Sequence, residues 1–343
     1  MIRIRHAAVA CAAAVAIASI AAAGAQAQSP LPINVGWVQT PGHLAPLLDA
    51  LAQKHPEVMP HDGKTYIAKA LRFKGTTPQI EAMAANELEV ASFAPSALAL
   101  AITNAHLDVR VVSDVIQTGA HGYFDQPYMV RKDGPIKTIA DVKGKRIATN
   151  TVGSASDAAM RVMFHKHGIQ DNQFTTVEAN FANMVSMIED NKVDLIAVMP
   201  QFEHRLAVAG NYRTLFTMGQ AIGPSQTVLW GMRADFIKAH RAVMVDFFED
   251  HIRGVRWFLD PKNHAEALTI AEQVTKQKPE DLAYAFTKKD FYRSPDCKPN
   301  IAAAQADIDE AVKLHVLPKA VKLEPKYVDL SLIEDAKRRI DGK

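Results

Sequence analysis

A repeat with an offset of 105 residues restricts the fold of this chain more than any other feature. The segment PQIEAMAANELEVASFAPS (78–96) aligns without a gap on NMVSMIEDNKVDLIAVMPQ (183–201). Matched positions keep the residue or its apolar character: Ile80 and Val185, Met83 and Ile188, Asn86 and Asn191, Leu88 and Val193, Val90 and Leu195, Pro95 and Pro200. Each copy predicts an amphipathic helix that stops at Asn, a short apolar strand and a turn that contains Pro. A chance match between two ordinary helix–strand units is the alternative.

A second strand-to-helix unit precedes each copy. In the first half, INVGWV (33–38) predicts a strand, QTPGH (39–43) a turn, and the spacing of the leucines after it a helix. In the second half, KRIATN (145–150) predicts the strand and TVGSAS (151–156) the turn, and the helix that follows is expected to end at Gly168. The same order of elements in both halves predicts an α/β fold with two lobes of similar topology.

The connections between the lobes are expected at two similar segments, PYMVRKD (127–133) and VLWGMRADF (228–236), which we interpret as hinge strands. They place lobe II at residues 128–229 and lobe I at residues 28–127 and 230–343. The helical pattern of the C-terminal part is expected to pack on lobe I. A chain that leaves one lobe and returns to it favours a hinged clamshell.

The first 27 residues have the pattern of a signal peptide. Arg3 and Arg5 precede an apolar run from residue 7 to 24, and Ala25-Gln26-Ala27 is a small-x-small cleavage motif. We therefore expect cleavage and export to the periplasm. A transmembrane anchor is the alternative, which the alanine-rich run and the cleavage motif disfavour. A lipoprotein would need a cysteine at the cleavage site, and Cys11 lies too early.

Composition excludes several classes of protein. After cleavage Cys297 is the one cysteine left, so an intramolecular disulfide is excluded and stability must come from an ordinary core. Loss of Arg3 and Arg5 leaves 37 basic and 37 acidic residues. This balance gives no indication of a nucleic-acid or membrane-surface role.

Catalytic and metal-binding patterns are missing from the sequence. The GSASD segment (153–157) lacks the spacing of a nucleophile elbow, and neither a dinucleotide-binding motif nor a P-loop occurs. His165 and His167 lie two positions apart, so on a helix they cannot share a metal ion. We therefore expect a protein that is not an enzyme and has no cofactor and no metal.

Five segments together resemble a known family: SPLPINVGWVQTPGH, EAMAANELEVASFAPSALALA, MVRKDGPIKTIADVKGKRIATNTVGSASDAAMRVMFHKHGI, SMIEDNKVDLIAVMPQF and GMRADFIKAHRAVMVDFFE. They are similar to the nitrate/sulfonate/taurine class of periplasmic substrate-binding proteins of ABC importers, over about residues 33–260. The resemblance implies a type II periplasmic binding protein fold, with two α/β lobes joined by two hinge strands and a ligand held in the cleft. It also implies an ABC permease with its ATPase as the partner of a monomer. The segment KKDFYRSPDCKPN (288–300) has no counterpart in that family.

Ligand contacts are expected at the turns that follow the strands, where helix N-termini present unpaired backbone N–H groups to an anion. Gln39 matches a position that the family uses for hydrogen bonding to its ligand. The full set of expected contacts is Gln39, Gly42, His43, Thr76, Thr77, Ser96, Phe124, Gly153, Ser154, Ala155, Ser156, Asn183 and Gln201. Thr77 and Ser154, one in each lobe, are expected to be the pair that a ligand bridges.

Several of these residues have structural alternatives. Thr77 followed by Pro78 fits a helix cap, as does Ser156. His43 is expected either to donate to an anion or to lie on the surface, and Phe124 either lines the cleft or packs at a hinge. Asn183 and Gln201 depend on the repeat alone.

The expected function is capture of a small organic anion, a sulfonate or a carboxylate, with an aromatic ligand indicated if HGYFDQPY (121–128) faces the cleft. An enzyme on the same bilobal fold and the ligand-binding partner of a sensor are the alternatives. Enzymes of menaquinone and thiamine-precursor synthesis are similar to the family. The export segment counts against both, and the cysteine-rich motif of the latter is absent.

Overall fold

The structure is a computed structural model that describes residues 29–342. The expected signal peptide and Cys11 lie outside this range. The first part contains β1 (Leu31–Trp37), α1 (Ala45–Lys54), β2 (Tyr66–Arg72), α2 (Gln79–Ala84), β3 (Val90–Phe93), α3 (Pro95–Thr103) and β4 (Val109–Thr118). The middle part contains β5 (Pro127–Arg131), β6 (Arg146–Thr149), α4 (Ala155–Lys166), β7 (Thr175–Glu178), α5 (Phe181–Glu189), β8 (Leu195–Ala197), α6 (Pro200–Ala209), β9 (Tyr212–Thr217) and α7 (Met218–Ile222). The last part contains β10 (Ser225–Arg233), α8 (Ala234–Leu259), α9 (His264–Thr275), α10 (Pro279–Leu282), α11 (Ile301–Lys313) and α12 (Ser331–Ile340).

Two five-stranded sheets of the same topology organise these elements. The first has the order β2-β1-β3-β10-β4 and the second the order β7-β6-β8-β5-β9. In the first, β1, β2 and β3 are parallel and β10 runs antiparallel between β3 and β4. In the second, β6, β7 and β8 are parallel and β5 runs antiparallel between β8 and β9. The expected α/β fold with two lobes of similar topology is confirmed.

The 105-residue repeat reappears in the backbone. Asn86 and Asn191 follow α2 and α5 with φ angles of 60° and 59°, in the left-handed region. In each copy the next amide bonds back five residues, from Glu87 N to Ala82 O and from Lys192 N to Met187 O. This pattern closes a helix by a left-handed residue and satisfies its last carbonyl groups. Where a turn with Pro was expected, each Pro instead occupies the first position of the next helix, α3 or α6.

The chain passes between the two sheets just before each predicted hinge strand. Among the described strands, β5 pairs with β8 and β9 of the second sheet, and β10 pairs along its length with β3 and β4 of the first. Residues 119–126 and 223–224 make the passages. The boundary expected at residue 229 therefore falls inside β10, because the return to the first sheet occurs before that strand.

The C-terminal helices pack mainly on the first sheet. α8 buries Phe247, Phe248 and Phe258 in a core shared with β1 and α1, and α12 packs against α8. α11 contacts both α3 and α4, so it lies against both lobes. Cys297 is buried and forms no disulfide with any residue between 29 and 342. Within residues 29–342, no helix has the length and apolarity that crossing a bilayer requires.

Substitution of the two left-handed asparagines tests the repeat. We expect Asn86→Val and Asn191→Val each to lower the free energy of unfolding by about 1–2 kcal/mol, because a β-branched residue is strained in this region. Asn86→Gly and Asn191→Gly should change it by less than about 1 kcal/mol, because glycine adopts positive φ freely. The measurement is urea-induced unfolding.

Asn104→Val is the matched control, because Asn104 ends α3 with a φ of −105°. An equal loss of stability in the control, or no loss at the two repeat positions, would contradict the assigned backbone strain.

Candidate functional site

A cavity lies between the two sheets, at the carboxyl ends of β1, β2, β6 and β8. It contains about 40 Å³ of space open to water. Its apolar lining consists of Val38, Ile116, Ala155, Phe181, Met199, Val228 and Phe291, and its polar lining of Gln39, His43, Thr76, Gln126, Asn150, Ser154, Ser156 and Thr227. No Asp, Glu, Lys or Arg is in this set, so any charge on a ligand must be balanced by dipoles and hydrogen bonds at the cavity wall.

The N-terminus of α4 forms one wall of the cavity. In the described part of the chain, the backbone N–H groups of Ala155, Ser156 and Asp157 have no hydrogen-bond acceptor. The Ser154 hydroxyl does not cap the helix but donates to Asn150 Oδ1 at 2.7 Å, and the Ser156 hydroxyl donates to Gln126 Oε1 at 2.9 Å. Together with the helix dipole, the free N–H groups make this wall a donor surface for an anionic or carbonyl oxygen.

The facing wall belongs to the first lobe and contains Thr76 and His43. The Thr76 side chain is 4% exposed, and its hydroxyl has no partner among the described residues. His43 is buried, with Nδ1 3.2 Å from Ser92 Oγ. Burial first, and then the positive charge of Arg293, lower the pKa of His43 to about 3. The imidazole is therefore neutral at physiological pH.

The turns around the cavity touch each other directly across the cleft. The Thr77 hydroxyl donates to Val152 O at 2.9 Å, and the Ser96 hydroxyl donates to Gly153 O at 2.8 Å. Gly75 lies so close to the facing turn that a Cβ atom on it would meet Thr151 Oγ1 at 2.6 Å. The lobes are thus in a closed arrangement held by hydroxyl-to-carbonyl bonds.

The C-terminal segment 288–300 completes the floor of the cavity. Phe291 lines it, and Phe124 packs edge-on behind Phe291 with ring centroids 5.0 Å apart. Arg293 donates to the carbonyl oxygens of Pro41 and Gly42 at 2.9 and 3.0 Å. The segment that has no counterpart in the family pattern therefore shapes the site and supports the turn that bears His43.

Two wider spaces extend the cavity outward. One, of about 380 Å³, includes Trp37, Gln39 and Arg72 of the first lobe and Gln201 and Arg205 of the second. The other, of about 220 Å³, includes Gln39, Arg72 and Lys74 with residues 180–181. Gln39 borders all three spaces, so the inner cavity lies next to the cleft mouth, and cationic side chains lie at the mouth.

The expected contact residues fall into three groups. Those that line the inner cavity are Gln39, His43, Thr76, Ser154, Ala155 and Ser156. Those that make other contacts between the lobes or behind the cavity are Gly42, Thr77, Ser96, Phe124 and Gly153. Two lie elsewhere: Gln201 borders the outer space, and Asn183 is exposed on α5, where its backbone N–H bonds to Asn180 Oδ1.

One expectation is wrong: His43 does not lie on the surface, because its side chain is only 4% exposed and Nδ1 lies beside the Ser92 hydroxyl. The Thr77 hydroxyl donates directly to Val152 O across the cleft, because the two turns approach within hydrogen-bond distance. The ligand contacts expected of Thr77 and His43 stay predictions.

Sequence reasoning missed several residues of the site. Asn150 and Gln126 hold the hydroxyls of the α4 turn, and Thr227 and Phe291 come from parts of the chain distant in sequence. Asn150 could have been found as the residue directly after β6, at the carboxyl end where ligands bind. Phe291 carries no local motif that would reveal its position.

Comparisons with known proteins agree with this fold. A family model described as NMT1/THI5 like matches residues 72–264, more than half of the chain. No significant match is found among curated protein sequences.

Three solved structures illustrate the likeness. The alkanesulfonate-binding protein SsuA of Xanthomonas axonopodis pv. citri, bound to MOPS, has a TM-score of 0.68 at 18% identity over 88% of this chain and 99% of its own. The periplasmic nitrate-binding protein NrtA of Synechocystis PCC 6803 has a TM-score of 0.68 at 12% identity over 92% of this chain and 90% of its own. The desulfurization enzyme DSZB has a TM-score of 0.61 at 10% identity over 90% of this chain and 99% of its own. At these identities the likeness establishes the fold, and the expected periplasmic binding protein architecture is confirmed.

The neutral state of His43 predicts a pH dependence of stability. An unfolded chain binds a proton at His43 below about pH 6.5, whereas the folded protein does so only near pH 3. Stability should therefore fall as the pH falls through this range. We expect His43→Gln to make the slope shallower by up to about 1.4 kcal/mol per pH unit.

Urea unfolding between about pH 4 and 7 measures this slope. His167→Gln is the control, because His167 is exposed at the end of α4. Equal slopes for wild type and His43→Gln would show that His43 is not held neutral.

The hydroxyl bonds across the cleft predict a change in the balance between closed and open forms. Each should contribute about 0.5–1.5 kcal/mol to closure. We expect the double variant Thr77→Val/Ser96→Ala to increase the radius of gyration in small-angle X-ray scattering. Thr103→Val is the control, because its hydroxyl bonds to Ala99 O within α3. An unchanged scattering profile of the double variant would show that these bonds do not hold the lobes together.

Proposed function

Because the chain belongs to the NMT1/THI5-like family, we propose that it is the solute-binding protein of an ABC importer and captures a small organic anion between its two lobes. The two-lobed fold that it shares with SsuA and NrtA supports this proposal. The protein would be exported to the periplasm by its N-terminal segment and would deliver the ligand, as a monomer, to a permease with its ATPase.

The observation that carries the proposal is the donor surface at the N-terminus of α4. Ala155 and Ser156, whose N–H groups have no acceptor among the described residues, line a cavity that Thr76 lines from the other lobe. The buried Thr76 hydroxyl has no partner in the same range of residues. A buried donor without a partner costs about 1–3 kcal/mol, which a ligand oxygen would recover. Hydrogen bonds from these groups to an anion would each contribute about 1.5–3 kcal/mol.

The lining of the cavity favours an organic acid over a small inorganic ion. Seven of its residues are apolar, including Phe181 and Phe291, and none carries a charge. A strongly hydrated ion would lose its water without gaining a cationic partner, whereas an apolar body would bury its surface against these side chains. Arg72 and Lys74 at the mouth would raise the local concentration of anions and steer them inward.

Closure follows from contacts on both sides of the cleft. A ligand can shift the balance toward the closed form only if it binds that form better than the open one. The donors of α4 belong to one lobe, and Thr76, Gln39 and His43 belong to the other. A ligand that contacts both sets would therefore stabilise the closed form, which the permease would recognise.

An enzyme is the second candidate function, and the likeness to DSZB supports it. The cavity contains a neutral imidazole but no buried acid or thiol. Incubation of the protein with each bound compound, followed by mass spectrometry of the compound, distinguishes the two functions. Chemical change of the compound would contradict the proposal of a binding protein, and its recovery unchanged would support it.

Calorimetric titration against aliphatic and aromatic sulfonates, aliphatic and aromatic carboxylates, nitrate and bicarbonate tests the ligand class. We expect an organic acid to bind. Ser154→Ala should weaken that binding about tenfold, because the Ser154 hydroxyl borders the cavity and orients the Asn150 amide. Ser186→Ala, on the exposed face of α5, is the control and should leave affinity unchanged.

Two results would count against this assignment. Binding of none of these compounds by folded protein would defeat the organic-anion proposal. Equal affinities of Ser154→Ala and wild type for the ligand would show that the Ser154 hydroxyl does not contribute to binding and has only a structural role in the turn.

A further inference from the structure

We propose that the ligand of this cleft carries a hydrogen-bond donor, a hydroxyl or an amino group, in addition to its acidic group, and that His43 Nε2 accepts from it. The inference rests on the proposed function and narrows the ligand class. His43 would then determine specificity, because it accepts a hydrogen bond from the ligand whereas the N–H groups of α4 donate hydrogen bonds to it.

The tautomer of His43 follows from a chain of hydrogen bonds. Ser92 Oγ lies 2.7 Å from Gly36 O and 3.2 Å from His43 Nδ1. A hydroxyl has one hydrogen, and a carbonyl oxygen can only accept. The Ser92 hydroxyl therefore donates to Gly36 O, which is the shorter contact. His43 Nδ1 carries a hydrogen and donates to Ser92 Oγ, which is the longer one. A neutral imidazole with its hydrogen on Nδ1 has a lone pair on Nε2.

The position of Ser92 is itself fixed, which makes the tautomer a property of the fold. Ser92 lies in the middle of β3 and is fully buried. Its backbone N–H donates to Gln79 Oε1 at 2.7 Å, and Gln79 Nε2 donates to Gly75 O. These hydrogen bonds hold Ser92 in place, with its hydroxyl on Gly36 O, the one carbonyl oxygen to which it donates among the described residues. The arrangement therefore selects the form of His43 that carries its hydrogen on Nδ1.

The Nε2 atom remains as an unused acceptor at the cavity. His43 is 4% exposed and lines the cavity, and Nε2 makes no hydrogen bond to any described residue. Burial and the neighbouring charge of Arg293 keep the ring neutral, so the lone pair is not lost to a proton at physiological pH. A carboxylate or sulfonate oxygen at this point would be repelled, whereas an O–H or N–H group would be bound.

The cavity therefore presents both donors and an acceptor. The α4 wall offers the N–H groups of Ala155 and Ser156, and the facing wall offers Nε2 of His43 as an acceptor beside the Thr76 hydroxyl. A ligand with an acid at one end and a donor at the other satisfies both walls at once. It would lie with its acidic group toward α4 and its donor toward the turn after β1.

Matched pairs of compounds test this inference. The probes are taurine and ethanesulfonate, 4-hydroxybenzenesulfonate and benzenesulfonate, and 4-hydroxybenzoate and benzoate. In each pair the members differ by one donor group. In the pair that binds to wild-type protein, we expect the member with the donor group to bind at least about tenfold more tightly. This factor corresponds to one hydrogen bond to Nε2 of His43, which the other member leaves unpaired.

The variant His43→Asn removes Nε2 and keeps an N–H near the position of Nδ1, so the contact to Ser92 is retained. We expect the preference within the pair to shrink to about twofold or less in this variant, while binding of the member without the donor changes little. His167→Asn, at an exposed site, should retain the full preference. Circular dichroism and thermal unfolding establish that each variant is folded, and His43→Leu, whose side chain has no acceptor, replaces His43→Asn if the latter is not.

The results separate this inference from the proposed function. Equal binding of both members by wild type, or an undiminished preference in the folded His43 variant, would overturn the inference while organic-anion binding stands. Failure of every probe to bind would overturn the proposed function and this inference with it.

A second measurement tests the tautomer without any ligand. Proteins labelled with ¹⁵N in histidine, as wild type and His43→Asn, identify the ring resonances of His43 by their loss in the variant. We expect a protonated Nδ1 and an unprotonated Nε2 at neutral pH. The reverse tautomer, or a charged ring, would overturn the inference whatever compounds bind.

Discussion

Arg293, which is buried in an ion pair with Asp290 of the same segment, ties the C-terminal segment to the turn after β1. Both side chains are almost inaccessible, with 3.0 Å between Arg293 Nη1 and Asp290 Oδ2. The other end of the guanidinium binds the carbonyl oxygens of the turn after β1. Because a buried charge is tolerated only when it is paired and hydrogen-bonded, the C-terminal segment and this turn are fixed relative to each other. The positions of His43 and Phe291 at the cavity both depend on this constraint.

The same guanidinium influences the cavity without lining it. Its charge opposes protonation of His43 and so helps to keep the cavity wall neutral. Cationic side chains are instead placed at the mouth, where water screens them and where they would attract anions to the proposed site. Under the proposed function, attraction of the ligand would occur at the mouth and its recognition inside, through hydrogen bonds of defined direction.

The sequence was sufficient to predict the fold, because the evidence for it is local. Helix periodicity, the two asparagines and the order of the strands can each be recognised within short segments. In the structure these segments form two sheets of equivalent topology. About half of the expected contacts line the cavity. The rest of the cavity could not be predicted, because Gln126, Thr227 and Phe291 reach it through long-range packing. The neutral tautomer of His43 depends on a contact with Ser92, 49 residues away, which no local pattern encodes.

The two turns that face each other across the cavity occupy equivalent positions in the two lobes but present different hydrogen-bonding groups. β1 and β6 occupy equivalent positions in the two sheets, so the turn with His43 and the turn with Ser154 are equivalent places in the two lobes. In the second lobe the turn leads directly into α4, whose first N–H groups have no acceptor in the part of the chain that the structure describes. In the first lobe His43 is turned toward β3 and leaves an acceptor at the cavity. The second lobe thus supplies N–H donors, and the first lobe supplies the proposed acceptor Nε2 of His43 together with the Thr76 hydroxyl. A ligand that carries both an acidic group and a donor would use all of these groups at once.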